Sequence, residues 1–194
     1  MNRDPDATRM AAFKEGDKAA FRMLFDAYKK KIVNFCYRYC GDRETAEDMA
    51  QEVFLKVYKA ASTYSADAKF STWIFRIAAN VCLNELRRPV YRYQTESVDG
   101  GRKEPGSDKK GYELPTPMEA NPDRIMERLE QERIIRGSIL LLPERQRVAL
   151  LLINEGESYE EIAKEMGLSE SAVKSLIHRA RETLRETLKE RLRE

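Results

Sequence analysis

Between Ser158 and Glu190 the chain reads SYEEIAKEMGLSESAVKSLIHRARETLRETLKE, and its polar residues recur at spacings suited to hydrogen bonding with base edges and phosphates. On a helix, Lys174, His178, Arg181 and Arg185 fall on one side, with Ser171 and Ser175 beside them. About a quarter turn away, Val173, Ile177, Ala180 and Leu184 form an apolar stripe. A narrow apolar anchor flanked by cations and hydroxyls is what a DNA major groove accepts from a helix-turn-helix. The elements that must position this face are also legible. Ser158 is predicted to cap a short first helix, with Glu161 completing a capping box. Gly167 can take the left-handed conformation that closes a helix, Leu168 can pack between the two helices, and Ser169 is predicted to cap the second. An ordinary helical hairpin with a solvated face is the alternative, because Glu170, Glu182, Glu186 and Glu190 are interspersed with the cations.

Two further segments carry chemistry. In DRETAEDMAQEVFLKVYKA, from Asp42 to Ala60, acidic groups crowd the first half and Phe54 and Leu55 follow. Acidic residues near a helix N-terminus favour its macrodipole. An acidic face with an apolar edge equally suits docking of a basic partner helix. In KFSTWIFRIAANVCLNELRR, from Lys69 to Arg88, Asn80 and Asn84 lie one helical turn apart, with Arg76 and Arg87 on broadly the same side. Amides and guanidiniums bond base edges and phosphates. The preceding loop, with Tyr64, Ser65, Asp67 and Lys69, could wall a pocket for an extruded base. Trp73, beside Ile74 and Ile77, is expected in the core and not as a stacking platform.

The remaining chemistry is sparse. Cys36, Cys40 and Cys82 are too few for a disulfide framework. Cys36 and Cys40 share a helical face but lack the further ligands a zinc site needs, so they read as small buried hydrophobes. No phosphate-binding glycine loop, metal-ligand set or nucleophile–base pair appears, so the chain is not expected to be an enzyme or to need a cofactor. The single histidine, His178, is expected to face DNA. With a net charge of +2, nucleic-acid binding must come from local patches. No run approaches the roughly 20 apolar residues of a membrane span, and the N-terminus lacks a signal-peptide core, so a cytoplasmic protein is expected.

Strand signals are nearly absent, and the expected fold is all-α: two small helical domains joined by a flexible linker. Asp17 caps a helix with apolar positions at Phe21, Leu24, Phe25, Tyr28, Ile32, Phe35 and Tyr39, and Gly41 stops it. The next starts at Asp42, runs to about Ser62, and turns Ala46, Met49, Ala50, Val53, Phe54 and Val57 inward. Another starts near Phe70 or Ser71, and Pro89 marks its end or a kink. Glycines, prolines and unperiodic polar residues mark a tether. Residues 1–92 are assigned to the first domain, 93–122 to the linker and 123–194 to the second. In the second domain a first helix is expected to bury Ile125, Leu129, Ile135 and Ile139 and stop at Pro143, and another to run through Val148 to Ile153.

Together these segments resemble the extracytoplasmic-function (ECF) class of bacterial RNA polymerase sigma factors, the smallest members of the sigma-seventy family. FRMLFDAYKKKIVNFCYRYCGDRETAEDMAQEVFLKVYKA resembles their region 2 core-binding helices, STYSADAKFSTWIFRIAANVCLNELRR the part that reads and melts the −10 element, and LLPERQRVALLLINEGESYEEIAKEMGLSESAVKSLIHRARETLR region 4, which reads the −35 element. The resemblance implies that Glu47, Asp48, Gln51, Glu52, Phe54 and Leu55 dock on the polymerase clamp coiled coil, with the flap as a second contact. It implies that Asn80, Ile77 and the loop of Tyr64, Ser65, Asp67 and Lys69 capture a flipped −10 base, with Arg76, Asn84, Arg87 and Arg88 nearby. It places Ser171, Ala172, Lys174, Ser175, His178, Arg179 and Arg181 on the −35 recognition helix. Lys174 stands where many relatives carry arginine, and an ammonium is a point charge, not a fork. An anti-sigma factor is an expected partner. A dimeric operator-binding regulator using the same helix-turn-helix is the alternative function.

Overall fold

The structure is a computed structural model describing residues 4–65, 69–85 and 122–191, with side chains from 126 onward in the last segment. The predicted tether and Leu86, Arg87, Arg88 and Pro89 lie outside the described residues, as does Asp67. Within them are eight α-helices: α1 (Pro5–Lys14), α2 (Lys18–Cys40), α3 (Arg43–Lys59), α4 (Phe70–Glu85), α5 (Pro122–Leu140), α6 (Glu144–Asn154), α7 (Tyr159–Met166) and α8 (Glu170–Arg191). A 3₁₀ turn, Ala61–Thr63, follows α3, so α3 ends three residues before the predicted Ser62.

The boundaries arise from local chemistry. Asp17 accepts from the amides of Ala19 and Ala20 at 2.8 and 3.2 Å, and Asp42 accepts from Thr45 at 2.8 Å. These caps satisfy amides that the first helical turn leaves without partners. Gly41 ends α2 at φ +79°, and a Cβ there would stand 2.5 Å from Leu140 Cδ1. The glycine therefore serves both the left-handed turn and the close approach of α5.

In the N-terminal half, α2 packs on α1, α3 and α4. Leu24, Tyr28, Ile32, Phe35 and Tyr39 of α2 are buried with all six predicted inward positions of α3. Phe25 departs from the predicted stripe. It is 38% exposed and lies over the Phe54 ring, 4.7 Å between centroids. The sequence reading did not single out α1, whose Met10 and Phe13 close one side of this core.

In the C-terminal half, α8 packs on α6, α7 and α5. The expectation for α5 is corrected here. Leu129 and Ile135 are 53% and 47% exposed, Ile139 is half-buried, and the Ile125 side chain lies outside the described set. Small residues make the close contact instead. Ser138 is fully buried and donates to the Ile134 carbonyl, and a Cβ at Gly137 would meet the Arg191 guanidinium at 2.8 Å. Apolar character alone thus misjudged which face of α5 turns inward, because close helix approach selects small side chains.

The two halves also pack on each other. One apolar core runs from Met10 through Phe35 and Cys82 to Val148, Leu152, Ile162 and Ile177. Helix α6 lies against α2 and α4, and α5 against α2. Arg147 of α6 fastens the junction. Its guanidinium donates to the carbonyls of Tyr39 and Leu142, at 2.5 and 3.0 Å, and sits over the Tyr39 ring. Those acceptors include a carbonyl at the negative end of α2, where a cation is favoured.

Candidate nucleic-acid interface

The face predicted to read duplex DNA is built as expected. Ser158 and Glu161 form a reciprocal capping box, Gly167 adopts φ +62°, and the Ser169 hydroxyl accepts from the Ala172 amide at 3.2 Å. Val173, Ile177 and Ala180 are buried, and Leu184 is half-buried. The burial of that stripe fixes the rotation of α8, leaving Ser171, Lys174, Ser175, His178, Arg179 and Arg181 exposed, with Ala172 half-buried. Lys174 contacts Glu170 at 3.4 Å and His178 contacts Glu182 at 3.2 Å. Such exposed pairs on one helix contribute little, so a phosphate can displace the carboxylate. Leu176 packs toward the core, and beside it a groove of about 230 Å³ is lined by Arg145, Leu168, Ala172, Ser175 and Arg179. Arg145, on α6, was not singled out from the sequence. Only its nearness to Arg179 in the fold reveals it.

The second predicted surface lies on α4. Asn80 and Asn84 are exposed, while Arg76 and Ile77 are half-buried. Tyr64 is 5% exposed, with its ring edge-on to Trp73 at 4.9 Å, so it is a wall of the loop and not a free side chain. Trp73 is half-buried against the core. Ser65 and Lys69 are exposed. What holds this loop is a residue that the sequence reading passed over. One Asp4 oxygen caps α1 by accepting from Asp6 at 3.0 Å, and the other accepts from the Phe70 amide at 2.8 Å. A single carboxylate thus ties the start of α1 to the start of α4.

The acidic face of α3 presents Glu47, Asp48 and Gln51 to solvent, with Glu52 half-buried. Arg43 pairs with Glu47 at 2.9 Å and Lys56 with Glu52 at 3.4 Å. Leu55 is 61% exposed beside them, whereas Phe54 is only 8% exposed. Phe54 therefore supports the surface from below, and Leu55 is its apolar edge. Elsewhere in the core, Cys36 and Cys82 are fully buried. Burial pushes the Cys82 thiol up, and the Cys40 thiol up to about 11, which suits packing more than reactivity.

The two halves meet across the candidate −10 face. Three carboxylates recur at four-residue intervals: Glu157, two residues before α7, and Glu161 and Glu165 on it. Opposite them on α4 stand Thr72, Arg76 and Asn80, at the same interval. Asn80 donates to Glu165, Arg76 lies 3.9 Å from Glu161, and the Thr72 hydroxyl, facing Glu157, favours the charged form of its carboxyl. Glu157 is 4% exposed, and burial followed by the charge of Glu161 pushes its carboxyl up to about 7. Burial also raises Glu165, while the Ser158 amide lowers Glu161. Glu157 Oε2 and Arg76 Nε are buried without partners. Each such orphan costs about 1–3 kcal/mol relative to solvation, so the seam is closed but imperfect.

Two helical units, one presenting a capped helix with exposed cations and the other a polar helix behind an anchored loop, offer surfaces suited to DNA. A model of sigma-70 region 2 matches residues 24–89, and one of sigma-70 region 4 matches residues 132–184. The chain is 33% identical to the ECF RNA polymerase sigma factor SigW of Bacillus subtilis (strain 168), over 91% of this chain and 93% of that one. It is 36% identical to the RNA polymerase sigma-H factor of Pseudomonas aeruginosa, covering 100% and 99%, and 33% identical to the sigma-E factor of Escherichia coli K12, covering 92% of each. The fold is shared with CnrH, solved in complex with the cytosolic domain of CnrY (TM-score 0.66, 22% identity, 96% and 98% covered). It is shared also with the Bartonella quintana sigma factor RpoE, solved with the anti-sigma factor NepR (TM-score 0.63, 21% identity, 87% and 96% covered). The chain belongs to the ECF sigma factors of the sigma-seventy family. It is an alternative sigma factor directing promoter-specific transcription, and the dimeric operator-binding regulator is not favoured. Sigma factors are non-enzymatic initiation factors. Among the described residues no helix is long and apolar enough to cross a membrane.

Proposed function

We propose that this sigma factor divides promoter reading and polymerase docking among three of its helices. Helix α8 reads the −35 element in the major groove through Ser171, Ala172, Lys174, Ser175, His178, Arg179 and Arg181. Helix α4 and the loop before it, with Tyr64, Ser65, Lys69, Arg76, Ile77, Asn80 and Asn84, together with Asp67, Arg87 and Arg88 from outside the described residues, capture an unpaired −10 base. That capture helps offset the cost of opening the duplex. Helix α3 docks on the core polymerase clamp through Glu47, Asp48, Gln51, Glu52 and Leu55, supported by Phe54. Domain limits of 1–92 and 123–194 around a tether suit this division. The protein works beside polymerase in the cytoplasm without catalysing a reaction itself, and an anti-sigma factor is its expected restraint.

The observation that carries the reading is the rotation of α8, where a buried stripe of Val173, Ile177 and Ala180 leaves the cations and hydroxyls facing outward. The docking assignment is tested at Leu55, which is 61% exposed. Leu55→Asp should retain the wild-type melting temperature but weaken co-elution with core polymerase at least tenfold. Unchanged co-elution would remove α3 from the docking surface.

A further inference from the structure

The loop assigned above to an unpaired −10 base runs between Tyr64 and Phe70. Both of its ends rest on α1, a helix that precedes the segment of residues 24–89 matched by the region 2 model. At the far end, Oδ2 of Asp4, the N-cap of α1, accepts from the Phe70 amide at 2.8 Å. At the near end, Lys14 Nζ, from the last turn of α1, donates to the Tyr64 carbonyl at 3.5 Å. A third tie runs through the next carboxylate. Asp6 pairs with Arg9 at 2.5 Å and accepts from the Tyr28 hydroxyl at 2.9 Å, and the Tyr28 ring stands edge-on to Phe70 at 5.2 Å between centroids. The Asp4 tie answers a local deficiency. Lys69 occupies the N-cap position of α4, where its carbonyl accepts from the Trp73 amide at 3.2 Å. A lysine side chain has no acceptor to offer the amides of that first turn. Phe70 is fully buried, where an amide without a partner is costly. Asp4 supplies the missing acceptor from another helix, and its charge suits the positive end of α4. The α1 cap uses only Oδ1, so capping alone does not require the second oxygen to reach Phe70.

We infer that α1 is the positioning element of the −10 reader: Asp4, with Lys14 and the Asp6–Tyr28 pair, fixes the points at which the base-capturing loop leaves Tyr64 and enters Phe70, and base discrimination depends on that anchoring. Asp4 touches no DNA in this arrangement and is a positioning residue. A binding loop whose ends are preset loses less freedom when it closes on its ligand. Its polar groups are also held to the tolerance that telling one base from another requires. The inference rests on the proposed −10 role of α4 and the loop before it.

The discriminating change is Asp4→Asn. An asparagine keeps one acceptor oxygen for the Asp6 amide and turns an NH₂ group toward the Phe70 amide, so the cap of α1 survives and the tie to α4 is lost. Asp17→Asn is the control. Both hydrogen bonds of Asp17 go to one oxygen, Oδ1, at the start of α2, so the same chemical change there touches no loop. Each full-length variant is assembled with core polymerase and offered a single-stranded DNA pool with a randomised central segment, and the captured strands are sequenced. Wild-type and Asp17→Asn holoenzymes should enrich one base over the other three at a captured position. Asp4→Asn should lose that preference several-fold, with co-elution with core polymerase and a melting temperature matching those of Asp17→Asn. An unaltered preference in Asp4→Asn, or an equal loss in Asp17→Asn, would overturn the inference. If Asp4→Asn melts below the control, Lys14→Ala decides, because it releases the Tyr64 end from an exposed position: a several-fold loss of preference supports the anchoring and an unchanged preference overturns it. A wild-type holoenzyme that enriches no base, or a preference that survives Asn80→Ala, would instead overturn the −10 reading of α4 and the positioning role with it.

Discussion

Asn80 belongs to two possible bonding arrangements. Its amide donates to Glu165, and on the proposed −10 reading the same amide would bond a base edge. Asn80→Ala is therefore expected to reduce open-complex formation at least tenfold while leaving assembly with core polymerase intact. Permanganate reactivity of −10 thymines and gel-filtration of the holoenzyme read the two effects separately, and normal melting would remove Asn80 from the pocket. Lys174 is 3.4 Å from Glu170 and 5.5 Å from the Tyr159 ring, on the exposed side of α8. Lys174→Ala should weaken discrimination at one −35 position by about 1–3 kcal/mol if the ammonium contacts a base edge. Equal loss on all −35 sequences, with a shallower salt slope, would make it a phosphate contact. At this scale the sequence was legible where a side chain's job is local. Ser158, Asp42 and Gly41 each announce a cap or stop that their neighbours alone determine. Asp4 was not legible, because its second partner is the Phe70 amide, distant in the chain.

At the scale of elements, α8 works because its buried stripe cannot rotate. Ile177 is 1% exposed at the centre of that stripe. Ile177→Ala should cost about 2–5 kcal/mol of stability, because burial is lost and a cavity remains. Denaturant melts of the full chain check the size of the loss, and a change under 1 kcal/mol would mean that α8 is not anchored there. The 3.6-residue periodicity of α3 and α8 predicted their inward faces, since both pack on large apolar neighbours. The same logic misplaced Leu129 and Ile135 of α5. That helix turns Ser138 inward and brings Gly137 close to Arg191, and small residues leave no hydrophobic signature. Helix α1 went unrecognised for a related reason: it is short, and only Met10 and Phe13 are buried along it.

At the scale of the whole molecule, the seam between regions 2 and 4 was the least legible feature. Glu161 reads in sequence as half of a capping box, Glu157 and Glu165 carry no signal of their own, and nothing local sets the three opposite Thr72, Arg76 and Asn80. The seam also gives stability a pH dependence. The Glu157 carboxyl is raised from 4.5 to about 7 in the folded chain, so over that interval the folded state holds a proton that the unfolded state has released. Its contribution is complete below about pH 4.5, falls as pH rises and is gone above about 7. Thr72 and Arg76 of α4 oppose the rise, and Glu161 and Glu165 of α7 with burial cause it. Glu157→Gln should flatten that part of the stability curve, measured by urea unfolding at successive pH values, and an unaltered slope would remove Glu157 as its source. The most direct test of the central claim is transcription of fragmented genomic DNA from the source organism by core polymerase, with and without the protein, followed by mapping of start sites. The account predicts new starts sharing two upstream elements at a fixed spacing. No new starts from a holoenzyme that has demonstrably assembled would contradict it.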